Sequence, residues 1–130
     1  MIITVDTSCV LAVAAGEPTR DKLMESTRGA ELIAPASLPA EIGNALSAMF
    51  KRGRISAAEA GKVLRAFQAI PIRLVALDLT RAVALAEQLN VYAYDAYVLD
   101  CARSEATPLL SLDKGQRAAA TRVGIHLQPY

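Results

Sequence analysis

The sequence predicts an α/β protein: a three-layer α/β/α sandwich around a central, mostly parallel sheet of four or five strands. Three observations predict it. Short aliphatic and β-branched runs alternate with helix-patterned segments along the chain, an order that lays strands side by side and covers both faces with helices. Ala and Leu dominate while aromatics make up only 5%, and small side chains let helices approach a flat surface closely. Finally, 130 residues suffice for one sizeable core and not for two, so residues 1–130 read as a single domain.

The elements follow in order. Ile2 to Val5 is a β-branched run ending in Asp6-Thr7-Ser8, a buried strand with three candidate N-caps after it. Helical character from about Cys9 to Ala15 stops at Gly16, and Pro18 suits the first turn of a second helix reaching about Arg28. Glu31 to Ala34 is a second strand. Ser37 is placed to cap a long helix with Pro39 in its first turn and Leu38, Ile42, Leu46 and Met49 as its apolar stripe. Ser56-Ala57-Ala58-Glu59 has the form of a capping box, opening a helix to about Ala69. Ile72 to Leu77 reads as a third strand. A helix from about Leu79 to Leu89 follows, with Asp78 or Thr80 as cap and Asn90 as stop. Asp95 is expected to open the next helix, which runs to about Glu105. Pro108 to Leu112 is a fourth strand ending at Asp113. A short Ala-rich helix leads to a last strand, about Gly124 to Leu127.

Composition removes several function classes. With 53% hydrophobic and 21% charged residues the chain is globular and not disordered. A net charge of +1 is too small for nucleic-acid binding by bulk attraction, yet acids gathered to hold metal would leave the remaining surface more basic than the total. Cys9 and Cys101 form no Cys-x-x-Cys pair and read as buried free thiols. With His126 the only histidine, an imidazole-based zinc site is unavailable. Met1 to Ala15 is apolar but short and interrupted by Asp6, unlike a signal peptide or membrane span. The expectation is a cytoplasmic protein without membrane attachment.

The chemistry lies in four acids. In open parallel sheets, ligands bind beyond the carboxyl ends of the strands. Asp6 and Asp113 end predicted strands; Asp95 begins a helix, and Glu41 lies early in a helix that follows a strand. All four can therefore face one rim. Carboxylates so placed repel one another and are costly to desolvate without a counter-charge, and oxygen-only donors select a hard ion such as Mg²⁺ or Mn²⁺. Such an ion suits phosphodiester hydrolysis. Thr7, Ser8, Asn44 and Ser111 stand beside the acids as candidate hydrogen-bond partners.

Taken singly, each acid has a plainer reading: Asp6 and Asp95 as caps, Asp113 as a turn residue before Lys114-Gly115, Glu41 as a solvated helix residue. The combination is less ordinary than its members. Asp100 follows Asp95 by five residues and so lies on another face. Tyr92, Tyr94 and Tyr97 could stack on bases, but a local packing cluster is the favoured reading. Lys51, Arg52 and Arg54 read equally as phosphate contacts or as a solvated helix end.

The ordered set resembles the PIN domains, specifically those of the VapC toxins. Ile3-Thr4-Val5-Asp6-Thr7-Ser8 is similar to the family's opening strand and first acid. Pro35 to Leu46 resembles its second motif, with Glu41 as the acid. Tyr94-Asp95-Ala96, with Leu99 and Ala102, resembles the third, and Leu110-Ser111-Leu112-Asp113-Lys114 the fourth. The resemblance covers nearly the whole chain. It implies a toxin that cleaves RNA, often tRNA or ribosomal RNA, with Mg²⁺ or Mn²⁺ held by Asp6, Asp95 and Asp113 and with Glu41 as a further ligand or a water-orienting base. It also implies a homodimer neutralised by a cognate VapB-type antitoxin. Two departures, Tyr97-Val98 and Asp100, bear on local packing and substrate fit and leave the acids in place. The alternative is a catalytically inactive module that keeps the acidic pocket to bind metal or a partner. A receiver-like phosphoacceptor ranks third, because Asp6 has no acidic neighbour.

Overall fold

A computed structural model describes residues 1–130. Its elements are β1 (Ile2–Val5), α1 (Thr7–Ala14), α2 (Arg20–Ser26), β2 (Glu31–Pro35), α3 (Leu38–Lys51), α4 (Ala57–Gln68), β3 (Ile72–Val75), α5 (Leu79–Leu89), α6 (Ala93–Ser104), β4 (Leu109–Leu110) and α7 (Lys114–Arg122). The four strands are all parallel, in the order β3-β2-β1-β4. From β1 the chain builds outward through β2 and β3, then returns to the other side of β1 for β4. The strand order therefore reverses between β1 and β4, the position beyond whose carboxyl edge open α/β sheets bind their ligands.

Successive strand residues face opposite sides, and here they feed two separate cores. Ile3, Val5 and Leu110 join Val10, Leu23, Leu38, Ile42 and Leu46 under α1 to α3. Leu109 joins Leu85, Leu89, Ala96, Leu99 and Ala120 beneath α5 to α7. Two apolar clusters on opposite faces of one sheet are the three layers that the sequence predicts. Cys9 and Cys101 are buried free thiols, one in each helical layer.

Capping follows the sequence closely. Asp6, Asp78 and Asp113 accept from the N–H three residues on, Ser56 and Glu59 form the reciprocal box, and Asn90 ends α5 at φ 54°. Four expectations shift. Ser37 is already helical in φ and ψ and makes no capping bond; its hydroxyl turns to Glu41. The second helix starts at Arg20, after a turn at Pro18. Helix α6 starts at Ala93 with Tyr92 as its cap, so Asp95 lies in its first turn; only two residues separate it from Asn90, and the helix begins as early as that turn allows. The expected last strand is reduced to a single parallel bridge between Leu127 and Leu109, because β4 is two residues long and offers one position to pair.

Asp100 does face away from Asp95. It is buried, and both its oxygens are held by Arg81 of α5, from Nε at 3.1 Å and Nη2 at 3.2 Å. Of the tyrosines, Tyr94 and Tyr97 pack edge to face at 5.7 Å; Tyr92 stands outside that cluster, 85% exposed. Lys51, Arg52 and Arg54 form an exposed helix end. No helix is long and apolar enough to cross a membrane.

Candidate active site

Asp6 leaves β1 at the β1/β4 switch point and caps α1. Its Oδ1 accepts from Ser8 Oγ at 2.5 Å and from the Cys9 N–H at 3.2 Å, while Oδ2 accepts from Ser111 Oγ at the end of the neighbouring strand. Ser8 Oγ in turn accepts from the Leu112 N–H at 3.0 Å, and Ser111 Oγ accepts from the Asp113 N–H at 3.1 Å. Two serines thus stitch the end of β1 to the end of β4. The acids at those ends are held in register by short side chains with little freedom to move.

Asp113 caps α7, its Oδ1 accepting from the Gln116 N–H at 2.8 Å. Gly115 leaves room beside it: a Cβ there would stand 3.2 Å from that oxygen. Glu41, in the first turn of α3, accepts from Ser37 Oγ at 3.0 Å. Thr7 Oγ1 is buried without a hydrogen-bond partner, yet lies near enough to Glu41 to favour its ionised form. Asp95 carries no hydrogen bond on its carboxylate, although its main-chain carbonyl accepts from Gln116 Nε2 at 3.1 Å. Asn44 is exposed, and its side chain takes no part in the network.

The acids sense one another. Burial pushes the Asp6 carboxyl above the usual carboxylate range, against the lowering pull of Ser111, Ser8 and Cys9. Glu41 is raised by burial, and further by the charges of Asp6 and Asp95. Asp95 is raised by burial, then by Asp113, then by Asp6. These couplings bring the four acids from four segments into one field. None of them takes part in an ion pair, so the concentrated negative charge has no protein cation to answer it.

Their chemistry fits a hard divalent ion, and their spacing limits how it would be held. No three carboxylates converge closely enough to chelate an ion by themselves. An ion at this rim would therefore take one or two carboxylates and keep water for the rest of its shell, the usual manner of Mg²⁺. Two of the three buried side-chain atoms that lack a hydrogen-bond partner, Thr7 Oγ1 and Gln116 Oε1, belong to residues beside these acids. A hydrated ion could satisfy such atoms.

Three residues here escape the sequence reading. Ser37 was placed as a cap and instead serves Glu41. Gln116 joins α7 to the Asp95 backbone. Arg117 donates from Nη1 to the Ser111 carbonyl at 3.1 Å, with its guanidinium 5.5 Å from the Tyr130 ring centroid. The only signal for Gln116 was its place three residues after a helix cap.

An all-parallel four-stranded sheet with helices on both faces defines the class as α/β. Within that class the chain belongs to the PIN-domain family, whose model matches residues 3–121. No curated protein matches it by sequence. In fold it is similar to PAE2754 from Pyrobaculum aerophilum, with a TM-score of 0.72 and 23% identity over 92% of this chain and 79% of that one. It is likewise similar to VapBC2 from Rickettsia felis, solved bound to a DNA fragment from its promoter, with a TM-score of 0.67 and 12% identity over 98% and 97% of the chains. A third neighbour is Mycobacterium tuberculosis VapC20, described as a sarcin-ricin-loop-cleaving toxin, with a TM-score of 0.66 and 16% identity over 98% and 99%.

Proposed function

We propose that this chain is a metal-dependent endoribonuclease, the VapC-type toxin of a type II toxin–antitoxin module. The observation that carries the reading is geometric: Asp6 and Asp113, at the ends of the adjacent strands β1 and β4, are joined through Ser111, Glu41 and Asp95 stand near enough to be raised by neighbouring acids, and none of the four takes part in an ion pair. Asp6, Asp95 and Asp113 are the residues that would hold Mg²⁺ or Mn²⁺, one or two of them directly and the others through its bound water. Such an ion would activate water and offset charge developing on a phosphodiester. Ser8 and Ser111 keep the Asp6 carboxylate fixed between the two strand ends. Glu41, oriented by Ser37, would serve as a further ligand or as the base that orients the attacking water.

RNA is the substrate class, with transfer or ribosomal RNA favoured by the family likeness and by the activity named for the VapC20 neighbour. A VapB-type antitoxin is the proposed partner, a second copy of the chain the proposed dimer mate, and the cytoplasm the proposed compartment.

Brief expression of the chain in a bacterial host, with cleaved RNA mapped by end sequencing, tests the proposal. Growth arrest with discrete new RNA ends is expected, both abolished by Asp95→Asn. Arrest without new ends would overturn it. A second reading, an inactive metal- or partner-binding module, draws on the lack of three converging ligands. Purified protein that cuts no RNA in Mg²⁺ or Mn²⁺ would favour that module.

A further inference from the structure

Helix α7 touches the acidic rim through a residue that no motif predicts. Gln116 is buried, at 5% exposure. Its main-chain N–H donates to Asp113 Oδ1 at 2.8 Å, and its side-chain Nε2 donates to the Asp95 carbonyl at 3.1 Å. One residue therefore holds two of the acids, which sit on different helices and repel each other. We propose that Gln116 is the positioning residue that fixes Asp95 against Asp113 and so sets the affinity of the rim for its divalent ion. This inference rests on the metal-dependent reading above.

Local chemistry explains why Gln116 is free for the task. A Gln three residues after a helix cap commonly turns back to the cap's own N–H. Here the Asp113 N–H already donates to Ser111 Oγ at 3.1 Å, so the Gln116 amide is released to reach α6. Elsewhere α6 and α7 share apolar contacts through Ala96, Leu99, Ala119 and Ala120. Such contacts are non-directional. The Gln116–Asp95 bond is directional and sets the level of Asp95 against Asp113.

The remaining amide atom points the same way. Gln116 Oε1 is buried and has no hydrogen-bond partner, an exception that calls for a reason in a native fold. A rigid amide with one end bonded to the Asp95 backbone and the other end open is suited to orienting a ligand's shell. Replacing groups of this kind around metal sites typically costs roughly 10- to 100-fold in metal affinity.

Calorimetric titration of the metal-stripped full chain with Mn²⁺ tests the proposal. Gln116→Met keeps the volume and removes the amide; it is expected to weaken Mn²⁺ binding by about 10-fold or more while retaining the wild-type circular dichroism spectrum. Gln116→Asn, one methylene short of the Asp95 carbonyl, serves if the Met variant does not fold, with the same loss expected. Thr121→Ala perturbs α7 through a bond confined to that helix and is expected to bind Mn²⁺ as wild type does. Folded Gln116 variants with wild-type affinity would overturn the role of Gln116 and leave the metal reading standing. A wild-type chain that binds no Mn²⁺ would overturn both.

Discussion

Replacing Asp6 by Asn removes one buried charge and keeps the shape of the side chain. The amide oxygen can still accept from Ser8 Oγ and the Cys9 N–H, which now reach the carboxylate at 2.5 and 3.2 Å. The amide NH₂ must face Ser111 Oγ in place of an oxygen, so that hydroxyl changes from donor to acceptor. Bonds to a charged group contribute roughly 1.5–3 kcal/mol and neutral ones roughly 0.5–1.5, so weakening three of them forfeits about 3 kcal/mol. The opposing term is larger: burial lifts the Asp6 carboxyl above its ordinary range even with those bonds in place, which means that the fold disfavours the charge overall. Asp6→Asn is therefore expected to be as stable as wild type within about 1 kcal/mol, or more stable.

Asp6→Ala differs. It removes the cap of α1, a loss of about 1 kcal/mol. It also leaves the O–H of the fully buried Ser111, whose oxygen still accepts from the Asp113 N–H, without an acceptor, a loss of about 1–3 kcal/mol. Urea unfolding should show the Ala variant displaced to lower midpoint with an unchanged slope, and the Asn variant close to wild type. Both should lose RNA cleavage by roughly 10²–10³-fold or more. Equal destabilisation by Asn and Ala would refute the reasoning, since the carboxylate would then serve the fold and not the site.

The folded pKa values of Asp6, Glu41 and Asp95 lie above the ordinary 3.8 and 4.5, so the folded chain binds these protons more tightly than the unfolded chain. Stability should fall as pH rises above those values and level off once the folded groups have ionised. Added Mn²⁺ should recover it above that point, by mass action on the folded state; a thermal melt insensitive to both pH and Mn²⁺ would count against the coupled acids. Arg81→Met leaves the Asp100 carboxylate buried without its partner, and it should lower the urea midpoint more than Asp100→Asn does, because a stranded buried charge outweighs a lost pair. Tyr92, 85% exposed at the start of the helix that carries Asp95, should tolerate Ala with no change in melting temperature. Base stacking predicts that Tyr92→Ala weakens RNA binding by roughly 5- to 100-fold, measured on a cleavage-deficient background; unchanged affinity would return Tyr92 to the bare surface.

Much of this molecule was legible because its strongest signals are local. β-Branched runs, Ser56 with Glu59, Asp78 and Asn90 each act within one turn of the chain, and the structure keeps all of them. The parallel sheet and its switch point follow from the alternation of elements, and the rim positions of Asp6 and Asp113 follow from that. What stayed hidden depends on contacts between segments. Ser37 resembles a cap in sequence but is drawn to Glu41 once Ala36 extends the sheet by donating to the Val75 carbonyl. The last strand fails because pairing depends on the length of β4, which the chain around Gly124 cannot encode. Asp100 reads as one more helix acid until α5 brings Arg81 against it, and Gln116 reads as an ordinary residue of α7 until Ser111 occupies the Asp113 N–H.

The proposed nuclease requires one property of the carboxyl edge, that its acids work through a divalent ion to cut RNA. The most direct measurement is the rate at which the purified chain cleaves an end-labelled structured RNA as Mn²⁺ is titrated against a chelator. A rate that rises with free Mn²⁺, saturates, and disappears in the chelator and in Asp6→Asn is the predicted result. Cleavage at the same bonds and rate without divalent ion, or undiminished in Asp6→Asn, would contradict it.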